Sequence, residues 1–278
     1  MIKLVITDLD DTIYSWIGFF IPAFYGMARE VSFLIGVPTD ELLEEYKKIH
    51  QEVGNVEYPF ATLSLPSVKK KYGGVSDEQL KSELNPAFHK FNSIRKKLLK
   101  LYPGVEDTLK FLKSYGIKVV AYTESAEENG FYRLKKLGVD DLFKEVYVSD
   151  SSYIRPDEIP ASPKTHIVQG KKPNAKILTQ ICRDEEVDVH ETIYIGDSLS
   201  KDMLMAKQAG VISVWCDYAK DDIQELYGKL VAVSHWTEND FLCEERYKKE
   251  WKEKKYLPDF IISNFSECKN IVATLNGK

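Results

Sequence analysis

From Val105 to the C-terminus the chain alternates between helical and strand patterning, and few architectures accept that alternation. The pattern predicts a helix over 105–115, with Val105, Leu109 and Leu112 on one face and Gly116 as its stop. A strand over 117–122, a helix over 126–137 closed by Gly138, and a strand over 145–149 follow. A long loop then leads to Pro173, which opens a helix ending at Cys182. A strand over 192–195, a helix over 200–209 and a strand over 211–215 come next, and a last strand over 259–263 precedes a terminal helix. Such a chain is expected to build a parallel sheet with right-handed crossovers and helices on both faces, a doubly wound α/β fold. Residues 2–7 join that sheet as its first strand, because an apolar run rich in Ile and Val is what a strand buried on both faces requires.

Between the first strand and the alternating part the pattern is helical. Pro38, Thr39 and Asp40 start a helix over 41–51, and Ser76 with Asp77 starts another through Leu84 after the stop at Gly73-Gly74. Pro86 opens a third, in which Phe88, Phe91, Ile94 and Leu98 recur at helical spacing. The expected organisation is an α/β core of residues 1–14 and 102–278 and a smaller all-helical domain of residues 15–101.

Charge narrows the partners. The 38 basic and 43 acidic residues give a formal net charge of −5, without the basic field that nucleic-acid binding uses. The apolar stretch 16–28 meets Arg29 and Glu30 well short of the ~20 residues of a membrane span. The N-terminus lacks the order of a signal peptide, and the four cysteines show neither C-x-x-C pairing nor zinc spacing. A cytoplasmic protein with reduced thiols is expected, bound to neither nucleic acid nor membrane. Oligomeric state is not legible.

In open parallel sheets the binding crevice lies beyond the carboxyl ends of the strands. The polar residues ending these strands are Asp8 and Asp10, Thr123, Ser149 and Asp150, and Asp197, with Asp202 close behind it. Carboxylates gathered on one rim repel unless a cation neutralises them. Oxygen donors without His or Cys suit a hard ion such as Mg²⁺, and Mg²⁺ among carboxylates points to a phosphate substrate. A phosphoryl group would also need donors, which Thr123, helix N-termini and a lysine can supply.

Asp8-Leu9-Asp10-Asp11-Thr12 resembles the first motif, D-x-D-x-T, of the haloacid dehalogenase-like superfamily. Thr123 resembles its second motif, Lys172 in Lys171-Lys172-Pro173 its third, and Gly196-Asp197-Ser198 through Asp202 its fourth. Each stands in the family's order, and the resemblance runs from residue 2 to about Trp215. It implies a Rossmann-like core with a C1-type helical cap, and a Mg²⁺-dependent phosphatase acting on a small phosphorylated metabolite such as a sugar phosphate, a nucleotide or a phospho-acid. By that resemblance Asp8 is the nucleophile and a metal ligand. Asp10 is the acid–base group, its carbonyl touching Mg²⁺, and Thr123 binds the phosphoryl group. Lys172 balances charge, Asp197 ligates Mg²⁺, Asp202 acts beside the metal or through water, and Thr12 holds the turn. Asp11 reads as a turn residue. A phosphomutase uses the same two aspartates, and an inactive binding module is the alternative from another class. Two segments depart from the family pattern: 151–170, holding Arg155, Lys164 and His166, and the charged insert 220–256. The first leaves Lys171 and Lys164 as alternatives to Lys172.

Overall fold

The computed structural model describes residues 1–58, 60–150, 162, 164–218 and 220–277, with 220–223 described by backbone alone. Most of the expected loop at 151–163, Arg155 included, lies outside the described residues.

Strand β1 (Leu4–Thr7) is buried at every position, as its apolar run requires. Helices α1 (Trp16–Ile35), α2 (Thr39–Val53), α3 (Ala61–Ser64), α4 (Pro66–Lys71), α5 (Asp77–Glu83) and α6 (Asn85–Leu98) follow. The alternating part then runs α7 (Val105–Ser114), β2 (Lys118–Ala126), α8 (Glu127–Leu137), β3 (Glu145–Ser149), β4 (Thr165–Val168), α9 (Ala175–Asp184), β5 (Thr192–Gly196), α10 (Leu204–Ala209) and β6 (Ile212–Cys216). Two helices, α11 (Lys220–Val233) and α12 (Glu238–Glu253), fill the charged insert before β7 (Phe260–Ile262) and α13 (Cys268–Leu275).

The strands form one seven-stranded sheet in the order β4-β3-β2-β1-β5-β6-β7. Every adjacent pair is parallel. Strands β2 to β4 extend to one side of β1 and β5 to β7 to the other, so the crossovers diverge at β1. That reversal opens the crevice in which ligands of such sheets bind. Alternate residues feed the two faces of the sheet. Leu4, Ile6, Val120, Tyr122 and Tyr194 join a core cluster with Ile177, Leu178 and Ile181 of α9 and Met205 and Ala206 of α10. On the opposite face Val5, Ile193, Ile195 and Val214 meet Cys268, Ile271 and Val272 of α13. Each large aliphatic side chain so buried contributes about 1.5–3 kcal/mol. The doubly wound fold expected from the alternation is therefore present.

The elements depart from the sequence pattern in four places. Strand β2 runs on through Thr123 to Ala126, with a register shift against β3 between Tyr122 and Ala126. The extra length hides in sequence because Thr-Glu-Ser reads as a turn, whereas a bulge lets polar residues remain in a strand. Strand β4 occupies the expected loop; it is a short edge strand with no buried residue, so it lacks the apolar signal of its neighbours. Helix α9 opens at Ala175 and not at Pro173, because Asn174 caps it by accepting from Lys176 N at 3.2 Å. The expected helix over 200–209 begins as a π-helical turn, Leu199–Met203, before α10.

The chain groups into two compact units. The sheet unit comprises Met1–Ser15, Lys100–Lys220 and Leu242–Lys278, and the helical unit comprises Trp16–Leu99 and Asp221–Phe241. The sequence pattern counts 221–241 with the sheet; the structure groups it with the helices through specific bonds. Val233 O accepts from His50 Nδ1 at 2.6 Å, and Lys229 O accepts from the Tyr25 hydroxyl at 3.0 Å. Inside the helical unit, Phe24 meets Tyr46 edge-on at 4.8 Å and Phe20 meets Phe91 at 6.1 Å, so these aromatic rings form its core. Among the described residues no single helix is long and apolar enough to cross a membrane; α1 and α2 pass only as a pair bent by 118°.

Candidate active site

The turn after β1 is tight. Thr12 N and Ile13 N both donate to Leu9 O, at 3.2 and 2.9 Å, and Asp11 adopts φ 56°, a left-handed conformation that Asp tolerates in turns. Thr12 supports the turn through its backbone, its carbonyl accepting from the Tyr218 hydroxyl at 2.5 Å. Its own hydroxyl is buried and has no hydrogen-bond partner among the described residues.

Asp8 follows β1 directly, and its N–H donates to Ile195 O of β5 at 2.9 Å, which ties the two strand ends together. One ligand oxygen from each of Asp8, Asp197 and Asp202 lies within 4.8 Å of the others. Asp8 and Asp202 are buried and Asp197 is half-buried. Lys172, 5% exposed, sets its Nζ 2.8 Å from Asp8 Oδ1 and 2.9 Å from Asp202 Oδ1. The same ammonium lies 5.0 Å from the Tyr122 ring centre and 5.7 Å from that of Tyr194. These aromatic faces shelter the cation and fix where its hydrogens point. Asp202 accepts further bonds from the Tyr194 hydroxyl at 2.7 Å and from Ser198 N at 3.1 Å.

The electrostatics follow from this crowding. Burial pushes the Asp8 carboxyl well above its ordinary range, Asp202 and Asp197 push it further, and Lys172 pulls against them. Burial and then the charge of Asp202 likewise raise Asp197. Burial also works against ionised Asp202, but Lys172, Tyr194 and Ser198 outweigh it and hold that carboxyl below its usual range. Burial works against the Lys172 ammonium, and Asp202 and Asp8 overcome it. Three carboxyl groups thus face one ammonium, and ionising all three would leave an excess of two negative charges in a largely buried place. An all-oxygen donor set with that excess fits a hard divalent cation.

The structure brings Asp8, Lys172, Asp197 and Asp202 into one cluster. Thr123 stands at the same rim, two residues past the Thr7–Ala121 pairing, and its Oγ1 accepts from Ser125 N at 3.1 Å. The carboxylate of Asp10 stays outside the acidic cluster. Its Oδ2 accepts from Ser125 Oγ at 2.6 Å and its Oδ1 from Arg133 Nη1 at 3.0 Å. Of the alternative lysines, Lys171 is exposed and Lys164 reaches Asp140 O and Phe143 O at 3.4 and 3.3 Å, outside the cluster.

Several residues here escaped the sequence reading. Glu124 accepts from Lys172 N at 3.0 Å and pairs with Lys201 at 3.3 Å, which holds the segment carrying Lys172 against β2. Glu124 is the first cause that raises Lys201. Tyr122 and Tyr194 are fully buried and read as core residues. Ser125 carried a faint signal, its spacing of two from Thr123; Arg133 carried none, since a charged residue on a helix reads as solvated.

Fold and site together define an α/β protein with a cluster of carboxylates, its candidate active site, at the switch point of its sheet. The profile described as haloacid dehalogenase-like hydrolase matches residues 2–210, and the chain belongs to that family. It is similar to the glyceraldehyde 3-phosphate phosphatase of Methanopyrus kandleri, 28% identical over 217 residues that cover 77% of this chain and 83% of that one. It also resembles the phosphoglycolate phosphatase of Vibrio vulnificus, 27% identical over 244 residues covering 87% and 92%. Among solved structures, a haloacid dehalogenase-type phosphatase from Thermococcus onnurineus shares the fold with a TM-score of 0.56 at 21% identity, covering 98% of each chain.

Proposed function

We propose that this protein is a Mg²⁺-dependent phosphatase that hydrolyses a small phosphate monoester through an aspartyl-phosphate on Asp8. The observation carrying this reading is the Lys172 ammonium held between Asp8 and Asp202 at 2.8 and 2.9 Å, with Asp197 in the same cluster. Such a place favours an anionic nucleophile beside a divalent cation.

In the first half-reaction a carboxylate oxygen of Asp8 forms a bond to phosphorus as the ester P–O bond breaks. The leaving oxygen takes its proton from Asp10. In the second, water adds to the phosphorus of the aspartyl-phosphate and gives a proton to Asp10. The acyl-phosphate P–O bond then breaks, which restores the Asp8 carboxylate and frees inorganic phosphate. Splitting the reaction lets one acid–base group serve both halves. Thr123 Oγ1 already accepts from Ser125 N, so its own proton is available to a phosphoryl oxygen. Lys172 balances the charge shared by Asp8 and the phosphoryl group. The Asp8 and Asp197 carboxylates and the Asp10 carbonyl would hold Mg²⁺, with Asp202 beside them. When bound, the ion neutralises negative charge on the phosphoryl oxygens.

The relatives are named for glyceraldehyde 3-phosphate and phosphoglycolate, both short phosphorylated carbon chains. That supports a short phospho-aldehyde or phospho-acid as substrate. The four cysteines are all unpaired, which supports a cytoplasmic enzyme.

The test is hydrolysis of p-nitrophenyl phosphate with Mg²⁺ and then with EDTA, followed by a panel of short phospho-compounds. Turnover should vanish with the chelator and with Asp8→Asn. Asp10→Asn should slow it ~10²-fold or more. Near-full rate in Asp8→Asn would end the nucleophile assignment. Phosphate moving within one substrate, with none released, would indicate a mutase instead.

A further inference from the structure

We propose that Arg133 is a positioning residue: a buried guanidinium that aims the carboxyl of Asp10 and thereby sets how well the enzyme expels a poor leaving group. The inference rests on the reading of Asp10 as the acid–base group.

Arg133 lies in α8 and is 3% exposed. Arginine is rarely buried to that degree without a partner. Its Nη1 donates to Asp10 Oδ1 at 3.0 Å and to Ser125 Oγ at 3.1 Å, and Ser125 Oγ donates to Asp10 Oδ2 at 2.6 Å. Three side chains from three elements thus close a ring: the turn after β1, the bulged end of β2, and α8. The direction of each bond is settled. The single hydroxyl proton of Ser125 goes to Asp10, so Ser125 can only accept from Arg133. Both carboxyl oxygens of Asp10 are held, which fixes its rotamer, yet each keeps a lone pair for a proton. The Asp10 side chain remains 23% exposed while that of Arg133 is 4% exposed, so the open edge of the ring belongs to the aspartate. The cluster of Asp8, Asp197 and Asp202 does not include the Asp10 carboxylate. What Arg133 holds is the residue that hands over the proton.

A guanidinium that merely joined α8 to β2 would affect all substrates alike. One that aims a general acid would matter most where the leaving oxygen needs the proton. The specificity constant kcat/KM covers the steps through phosphoryl transfer to Asp8, in which the ester P–O bond breaks and the proton passes from Asp10 to the leaving oxygen. A nitrophenolate departs with little help; an alkoxide does not.

The experiment compares kcat/KM for p-nitrophenyl phosphate and for an alkyl phosphate that the enzyme turns over, with saturating Mg²⁺. Arg133→Met should lower the alkyl value ~10²-fold and the nitrophenyl value less than ~5-fold, the scale of acid–base assistance. Arg133→Lys should recover part of the alkyl loss by a single contact. Ser125→Ala should show the same bias at smaller size while keeping the guanidinium, and carries the test if Arg133→Met fails to melt cooperatively. Asp10→Asn in the same assay is the reference. Absence of bias in Asp10→Asn would overturn the reading of Asp10, and this inference with it. Bias in Asp10→Asn, with equal losses on both substrates or none in folded Arg133→Met and Ser125→Ala, would overturn the role of Arg133 alone.

Discussion

His50 shows how much a single buried group can decide. It is 1% exposed, and its Nδ1 contacts the Val233 carbonyl, which can only accept, so that nitrogen carries the hydrogen. Burial drives its pKa down from 6.5 to about 4, opposed by the bond to Val233. The folded protein therefore holds a neutral imidazole where the unfolded chain binds a proton. Stability is full above the unfolded value and is lost as pH falls from about 6.5 toward 4, by on the order of 3 kcal/mol in total. Melting temperatures between pH 7 and pH 5 should fall more steeply in the natural protein than in His50→Gln. Equal slopes would exclude His50 as the titrating group.

At the scale of elements, the end of β5 and the turn after it act as one part. A Cβ added to Gly196 would stand 2.5 Å from Asp202 Cγ and 2.6 Å from its Cβ, closer than atoms tolerate. The strand must end in glycine so that the π-helical turn can fold Asp202 back beneath it, against Lys172 and Tyr194. Gly196→Ala should displace that carboxylate, cost about 1–3 kcal/mol of stability, and remove most turnover. Calorimetry and the phosphatase assay read the two effects separately. The start of α5 offers a contrast without chemistry. Ser76 and Gln79 form a reciprocal capping box, with Gln79 N donating to Ser76 Oγ at 3.3 Å and Ser76 N to Gln79 Oε1 at 3.2 Å. Ser76→Ala should cost about 1 kcal/mol in denaturant melts. kcat should be unchanged. Both elements were visible in the sequence, yet only the first has its meaning set by a residue from elsewhere in the chain.

For the whole molecule, the excess of carboxylates couples metal binding to folding. The unfolded chain has no such cluster, so Mg²⁺, if it binds there as proposed, would stabilise the folded state by mass action, by about 2.7 kcal/mol at a hundredfold excess over its Kd. Thermal melts should shift upward with Mg²⁺ in the natural protein, and much less in Asp197→Asn. An equal shift in both would place the ion elsewhere.

The sequence by itself determined the order of elements apart from β4 and the short cap helices, the doubly wound sheet and the rim on which Asp8, Thr123, Asp197 and Asp202 stand. Those follow from local periodicity and from the rule that strand ends carry the site, and both are properties of neighbouring residues. The Lys-Pro step favours Lys172 over Lys171 and Lys164 already in the sequence; only the tertiary structure sets its ammonium against two carboxylates. Only the tertiary structure joined residues 221–241 to the helical unit, and only it turned Arg133 from a helix charge into the partner of Asp10. Each of these depends on a bond between groups tens to hundreds of residues apart. Periodicity reports which face of an element is buried; it does not report which distant atom waits there.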